Sequence, residues 1–240
     1  MVRVWTLAGE ELILSPDETL TTVRCLKRCL HARHGCPPRF RQRLLLQGTC
    51  LQDNHMLESQ LDLQLVVLPL CENSFSEAEV LLDAAGNGYV TDVEALLQLE
   101  WDPDLITRSG QRPLVKAARQ GHLDVVHLLL EAGADKDLAQ NDGSTALLAA
   151  SRHGRTEIVR VLVESGADLD SMNIFGATAL MASAYNGHFD VVQLLVDAGA
   201  NQELANANGT TALTLAARRG HVRVLRILKP EGKGPQGSGV

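Results

Sequence analysis

From Gly110 the chain reads GQRPLVKAARQGHLDVVHLLLEAGADKDLAQND. The same pattern returns as GSTALLAASRHGRTEIVRVLVESGADLDSMNIF from Gly143, GATALMASAYNGHFDVVQLLVDAGANQELANAN from Gly176 and GTTALTLAARRGHVRVLRIL from Gly209. The period is 33 residues throughout. One period upstream, EAEVLLDAAGNGYVTDVEALLQLEWDPDLITRS from Glu77 keeps the Ala84-Ala85 pair, Gly88 and the Val93 and Leu96 positions but lacks the opening glycine. Five units therefore start near residues 77, 110, 143, 176 and 209. A fixed period of this length marks a stacked-repeat architecture, in which each unit buries its apolar face against its neighbours.

Each unit reads as two short helices. The first, such as Thr145-Ala146-Leu147-Leu148-Ala149-Ala150, is built of small and aliphatic residues, and its opening threonine can cap free backbone N–H groups. Gly121, Gly154, Gly187 or Gly220 then ends that helix. In the second helix Val125, Val126, Leu129 and Leu130 recur at helical spacing, a stripe too wide for one helical pair to bury. Gly133-Ala134-Asp135, with counterparts at Gly166-Ala167-Asp168 and Gly199-Ala200-Asn201, closes the unit and leads into a protruding turn.

These residues resemble the ankyrin repeat, whose consensus places Gly-x-Thr-Pro-Leu-His, Ala-Ala-x-x-Gly-His and Gly-Ala-Asp at the same separations. Arg112-Pro113-Leu114 keeps the proline, and the later units read Thr-Ala-Leu at Thr145, Thr178 and Thr211. The consensus histidine after the leucine is replaced by Val115, Leu148, Met181 and Thr214. The resemblance covers residues 77–229 and implies an all-α solenoid.

The N-terminal part repeats nothing. Alternation of Val2 and Val4 with Arg3 and Trp5, a turn at Leu7-Ala8-Gly9-Glu10, and Leu12 and Leu14 beyond it predict a β-hairpin over residues 1–14. After a break at Ser15-Pro16-Asp17-Glu18-Thr19, Val23, Leu26 and Leu30 mark an amphipathic helix that Gly35-Cys36-Pro37-Pro38 stops. Arg43–Gly48 and Leu61–Leu68 read as strands, with Leu51 and Leu57 as isolated core candidates.

That order, together with Gly35-Cys36-Pro37-Pro38, Gln42-Arg43-Leu44-Leu45-Leu46-Gln47-Gly48, Leu51-Gln52-Asp53 and Leu63-Gln64-Leu65-Val66-Val67, resembles ubiquitin and its relatives. The resemblance implies an α+β ubiquitin-like (β-grasp) domain over residues 1–71. It also places the family's hydrophobic interaction patch on Leu7, Leu45 and Val66, with Gln64 where ubiquitin has a histidine. The chain continues as Leu68-Pro69-Leu70-Cys71, without the Gly-Gly end through which ubiquitin is conjugated. Residues 72–76 read as a short linker, and the Gly/Pro-rich segment 230–240 is expected to be disordered.

Composition narrows the function classes. Aromatic residues make up 3% of the chain, which leaves few stacking platforms for single-stranded nucleic acid. The net charge of −7 divides into +1 over residues 1–71 and −8 over the rest. The basic residues Arg24, Lys27, Arg28, Arg39, Arg41 and Arg43 read best as a solvated face, ahead of a nucleic-acid or acidic-partner site. No stretch approaches a membrane span, and the N-terminus lacks a signal peptide's pattern. With an odd number of cysteines, five, reduced thiols in the cytoplasm or nucleus are the expectation.

Cys25, Cys29, His31, His34 and Cys36 lie close enough to suggest zinc, the one feature on which a metal-dependent enzyme would rest. Cys25 and Cys29 instead flank Leu26 and Leu30 as small apolar side chains of a core, and Cys-x₂-Cys pairs are absent. His122, His188 and His221 each follow a repeat glycine and belong to the repeat. No nucleophile-elbow, Walker or zinc-protease motif occurs, so neither an enzyme nor a cofactor is expected.

Function is then expected of the surface. The concave face of the solenoid, made of turn tips and first helices, carries the residues that vary between units: Arg119, Asn141, Asp142, Arg152, Ile174, Phe175, Tyr185, Asn186, Arg218 and Arg219. Ile174, Phe175 and Tyr185 form an apolar trio flanked by arginines, the pattern of an interface anchor. The expected protein is a monomeric, non-enzymatic adaptor. Its ankyrin face takes a protein partner and its ubiquitin-like domain offers a second docking surface to ubiquitin-pathway receptors. The alternative is a plain ankyrin scaffold whose N-terminal domain is a structural cap.

Overall fold

The structure is a computed structural model that describes residues 2–6, 10–14, 22–34, 36, 39–47, 49–57, 61–67, 75–99 and 101–229. The expectations on Leu7, on linker residues 72–74 and on the 230–240 tail lie outside these residues.

In the N-terminal domain, alternating strand residues send one set of side chains to a common core. Strand β1 (Val2–Thr6) pairs antiparallel with β2 (Glu11–Leu14) and parallel with β5 (Leu61–Val67). Strand β3 (Gln42–Leu46) runs antiparallel to β5 and to the two-residue β4 (Thr49–Cys50), giving the order β2-β1-β5-β3-β4. Val4, Leu44, Leu63 and Leu65 pack with Val23, Leu26 and Leu30 of helix α1 (Val23–His34), all of them buried. This mixed sheet with its helix is compatible with a β-grasp. Helix α1 is capped by Thr22, whose hydroxyl accepts the Cys25 N–H at 3.3 Å. Cys29 packs against the core as expected and Cys36 joins it, whereas Cys25 is absent from that cluster and has its sulfur 3.3 Å from the Thr22 hydroxyl at the helix start.

The repeats form five helix pairs. The first helices are α2 (Phe75–Asn87), α4 (Pro113–Gln120), α6 (Ala146–Arg152), α8 (Ala179–Asn186) and α10 (Ala212–Arg219). The second helices are α3 (Val90–Gln98), α5 (Leu123–Glu131), α7 (Thr156–Glu164), α9 (Phe189–Asp197) and α11 (Val222–Leu228). Helix α2 starts at Phe75, so Phe75 and Ser76 belong to the first unit and not to the linker; Glu77 in its first turn complements the helix dipole. Val125, Val126 and Leu129 are buried in a core that runs through all five units. Successive first helices, rich in alanine, touch more extensively than successive second helices, which curves the array with the first helices on its concave side.

Local chemistry repeats with the same period. Thr145, Thr178 and Thr211 cap α6, α8 and α10, accepting the N–H of Leu148, Met181 and Thr214 at 3.3–3.4 Å. In the second unit Arg112 stands at this place, and Pro113 opens α4 where a missing N–H costs nothing. Gly154 and Gly187 adopt φ of 67° and 76°, and a Cβ there would lie 2.6 and 2.5 Å from the imidazoles of His188 and His221. Those rings point Nε2 at the Arg152 and Tyr185 carbonyls, at 3.1 and 3.0 Å, as His122 does at the Gly86 carbonyl at 3.0 Å. A carbonyl only accepts, so Nε2 carries the hydrogen in each. Arg155 takes the histidine's place in the third unit and donates Nε–H to the Arg119 carbonyl at 3.3 Å.

A row of carboxylates links the turns. Asp104 accepts the Asp135 N–H at 3.0 Å, Asp137 the Asp168 N–H at 2.8 Å and Asp170 the Asn201 N–H at 2.9 Å. Within each turn Asp102, Asp135 and Asp168 accept the N–H two residues on, at 2.9–3.0 Å. Burial pushes Asp104 up to about 6; the Asp135 N–H and Arg112 act against this, and Asp102 and Asp135 add to it.

The N-terminal domain is docked on the second-helix layer of the first two units. The Arg39 side chain is only 1% exposed. Its guanidinium donates from Nη1 to Asp53 Oδ2 at 2.6 Å, from Nε to Glu131 Oε2 at 2.7 Å and from Nη2 to Glu94 Oε1 at 3.4 Å. Arg24 donates to Glu94 at 2.6 Å, Arg28 pairs with Glu131, and Lys27 donates to Asp53 at 2.7 Å. Arg43 donates to the Gln98 carbonyl at 3.0 Å, and Phe40 is buried in the array's own core. The expected solvated basic face is thus corrected: Arg24, Lys27, Arg28, Arg39 and Arg43 mostly meet carboxylates and a carbonyl that the fold brings to them. Burial alone would raise the Asp53 pKa, but Lys27 and Arg39 outweigh it and hold the carboxyl below its usual range.

Two outcomes test these features. A carboxyl raised by folding contributes stability below its unfolded pKa and loses it as pH rises through its folded one. Asp104→Asn keeps an acceptor and removes that loss, so its Tm should exceed the parent's at pH 7.5 and converge with it near pH 4. Arg39→Met leaves Asp53, Glu94 and Glu131 clustered without their shared cation, a change on the order of 3–5 kcal/mol for a buried pair. It should raise amide hydrogen exchange in α1, α3 and the Arg39–Arg41 turn, while the last three repeats keep their protection.

Candidate functional site

The concave face is built from two rows. Turn tips project beyond the helices and are tied to one another by main-chain hydrogen bonds, Ile174 N–H to the Asp142 carbonyl and Ala207 N–H to the Phe175 carbonyl, both 3.1 Å. Behind them the last turns of the first helices carry Arg119, Arg152, Tyr185 and Arg218 in register, one per unit. Asn141 is exposed and Asp142 half-buried at the neighbouring tip.

Phe175 and Tyr185 meet across a pocket of about 270 Å³. Its floor is Leu148, Met181 and Leu215, and Arg152 and Asn186 stand on its wall. Phe175 is 66% exposed and Tyr185 40%, so neither ring is folded away into a neighbouring unit. Ile174, 65% exposed, stands on the same tip but does not line the pocket. The Arg219 guanidinium lies 4.0 Å from the Tyr185 ring centre and also hydrogen-bonds its hydroxyl, which fixes the phenol at the rim. The Asn186 amide donates to the Arg152 and Ala182 carbonyls at 3.2 and 2.9 Å.

A second depression, of about 300 Å³, adjoins the first and shares Arg152 with it. Arg119, Ala149 and His153 complete its lining. Partial burial, then the charges of Arg119, Arg152, Arg155 and His188, holds His153 below the usual imidazole range. The floor residues of the first pocket were absent from the sequence-level site, yet a signal for them existed. Leu148 and Met181 occupy the place where the consensus has histidine.

On the N-terminal sheet, register aligns Trp5 with Gln64 and Gln64 with Leu45, while Val66 pairs with Arg43. Paired residues share a face, so Leu45, Gln64 and Val66 lie together on the side away from α1. Trp5, 40% exposed, joins them and was not among the expected patch residues. Leu7 lies outside the described residues. The face is bordered by the array, because Arg43 on the same side reaches Gln98.

Among the described residues no group of three or more His, Cys, Asp or Glu is placed to hold a metal ion. Nor is any described helix long and apolar enough to cross a membrane. Comparison with curated proteins gives no match. A family model for ankyrin repeats, three copies long, matches residues 81–173 and 166–236. Ankyrin repeats generally mediate protein–protein contact and are typically non-enzymatic. Five in-phase helix pairs, their capping threonines and this match agree, and the chain belongs to the ankyrin-repeat family.

Proposed function

We propose that this protein is a non-enzymatic adaptor joining two protein ligands, one on the concave face of the array and one on the outer face of the N-terminal sheet. The observation that carries the reading is the docking of the N-terminal domain against α3 and α5, through Arg39, Arg24 and Arg28. Among the described residues that contact uses the second-helix layer, not the first helices, and Trp5 and Gln64 stay exposed on the sheet with Leu45 half-buried beside them. The likeness to ubiquitin relatives supplies the partner class for the second surface, ubiquitin receptors such as those of the proteasome. Two sites held on one body raise the effective concentration of each ligand for the other.

A second reading rests on Phe40, which is buried in the array's core. There the N-terminal domain is a structural cap that closes the first end of the solenoid and binds nothing itself. Affinity capture from host lysate, read by mass spectrometry, separates the two. The Leu45→Ala/Val66→Ala variant should lose ubiquitin-receptor proteins, and Phe175→Ala/Tyr185→Ala should lose a different set. Unchanged capture by the first variant alone leaves the cap reading; unchanged capture by both removes the adaptor.

A further inference from the structure

Charge in the last four units of the array is sorted by layer, whereas α2 of the first unit carries Glu77, Glu79 and Asp83. Helices α4, α6, α8 and α10 carry five cations, Lys116, Arg119, Arg152, Arg218 and Arg219, and no carboxylate. The second helices of the same units, α5, α7, α9 and α11, carry six carboxylates against three arginines. In a region whose net charge is −8, this separation leaves the first-helix layer of the last four units locally positive. Arg24, Arg28 and Arg39 of the N-terminal domain are met by Asp53, Glu94 and Glu131, whereas no ion pair reaches Arg119, Arg152, Arg218 or Arg219 among the described residues.

Three of these cations lie at or beside an apolar pocket: Arg152 lines it, Arg219 lies against the Tyr185 ring at its rim, and Arg119 lines the adjoining depression. Phe175 and Tyr185 form its rim and Leu148, Met181 and Leu215 its floor, with the Arg119–Arg152–His153 depression beside it. We infer that the concave face takes an extended acidic peptide segment that inserts one large aliphatic or aromatic side chain between Phe175 and Tyr185 and lays carboxylates along Arg152, Arg119 and Arg218. This rests on the reading of the concave face as the protein-binding surface and adds the chemistry of what it binds. Spacing follows from geometry. Neighbouring first helices lie about 10 Å apart, the reach of about three extended residues. An acidic residue about three positions from the apolar anchor therefore meets the next unit's arginine. An apolar pocket between the cations favours such a peptide over a nucleic acid, whose charge is not interrupted by aliphatic groups.

The test is panning of a random peptide display library, about twelve residues long, on the full 240-residue chain. Fluorescence polarisation then follows with the enriched peptides. The expected consensus has one Leu, Ile, Met or Phe with Asp or Glu about three residues away. Arg152→Glu/Arg218→Glu should weaken its binding at least about tenfold, with stronger binding at low salt. Phe175→Ser and Tyr185→Ala should each weaken it as well, with the far-ultraviolet spectrum of every variant unchanged. Neutral or basic peptides that depend on Phe175 and Tyr185 but not on the arginines overturn the acidic class and leave the concave face as the binding surface. Peptides indifferent to all four substitutions, or no enrichment, remove the peptide site itself. Tighter binding of fluorescein-labelled oligo-dT or oligo-U than of the best peptide overturns the inference in favour of nucleic acid.

Discussion

A helix pair of this array has more apolar surface than it can bury alone, and every other feature depends on how neighbours cover the excess. Val125, Val126 and Leu129 reach zero exposure because units on both sides press against them. Such contacts require a fixed register, and the polar links enforce it. Each histidine at the start of a second helix reaches a carbonyl 36 residues earlier, and Asp104, Asp137 and Asp170 each reach an N–H 31 residues later. A hydrogen bond contributes about 1 kcal/mol net, so these links specify alignment more than they supply cohesion. Cohesion comes from the continuous aliphatic core.

The end of the array nearest the N-terminal domain is handled differently. Phe40 enters the repeat core and Arg39 is surrounded by three carboxylates, two of them from the array. Burying a guanidinium is costly unless each of its donors is met, and here Nε, Nη1 and Nη2 each have an acceptor. The pairing is therefore directional: it holds the domain in one orientation against α3 and α5. A purely apolar contact of the same size would tolerate sliding.

Much of this was legible in the residues. The repeat could be read because a fixed period multiplies weak signals, and the sheet because Val4 and Trp5 alternate as a strand with one buried face must. Phe175 and Tyr185 stood out once the units were aligned. The docking was not legible, because Arg39 and Glu131 are 92 residues apart and a cluster of arginines in sequence looks solvated until its acceptors are known. The two-residue strand β4 is too short to leave a pattern. The pocket floor was visible only as an absence: Leu148 and Met181 counted as departures from a consensus, and the hydrophobic surface they create needed the neighbouring unit to become a cavity.

Across its last four units, cations confined with no carboxylate to the first helices and an excess of carboxylates on the second helices give the array a transverse electrical asymmetry, set across its thickness. A long-range field of this kind acts before contact. It turns an approaching anion toward the inner curve and turns a cation toward the back, so orientation is settled during diffusion. Once the two bodies touch, the field contributes little to holding them, and the desolvated rings at Phe175 and Tyr185 govern departure. Encounter speed and lifetime would then be set by different residues, and ionic strength would tune the first almost without touching the second.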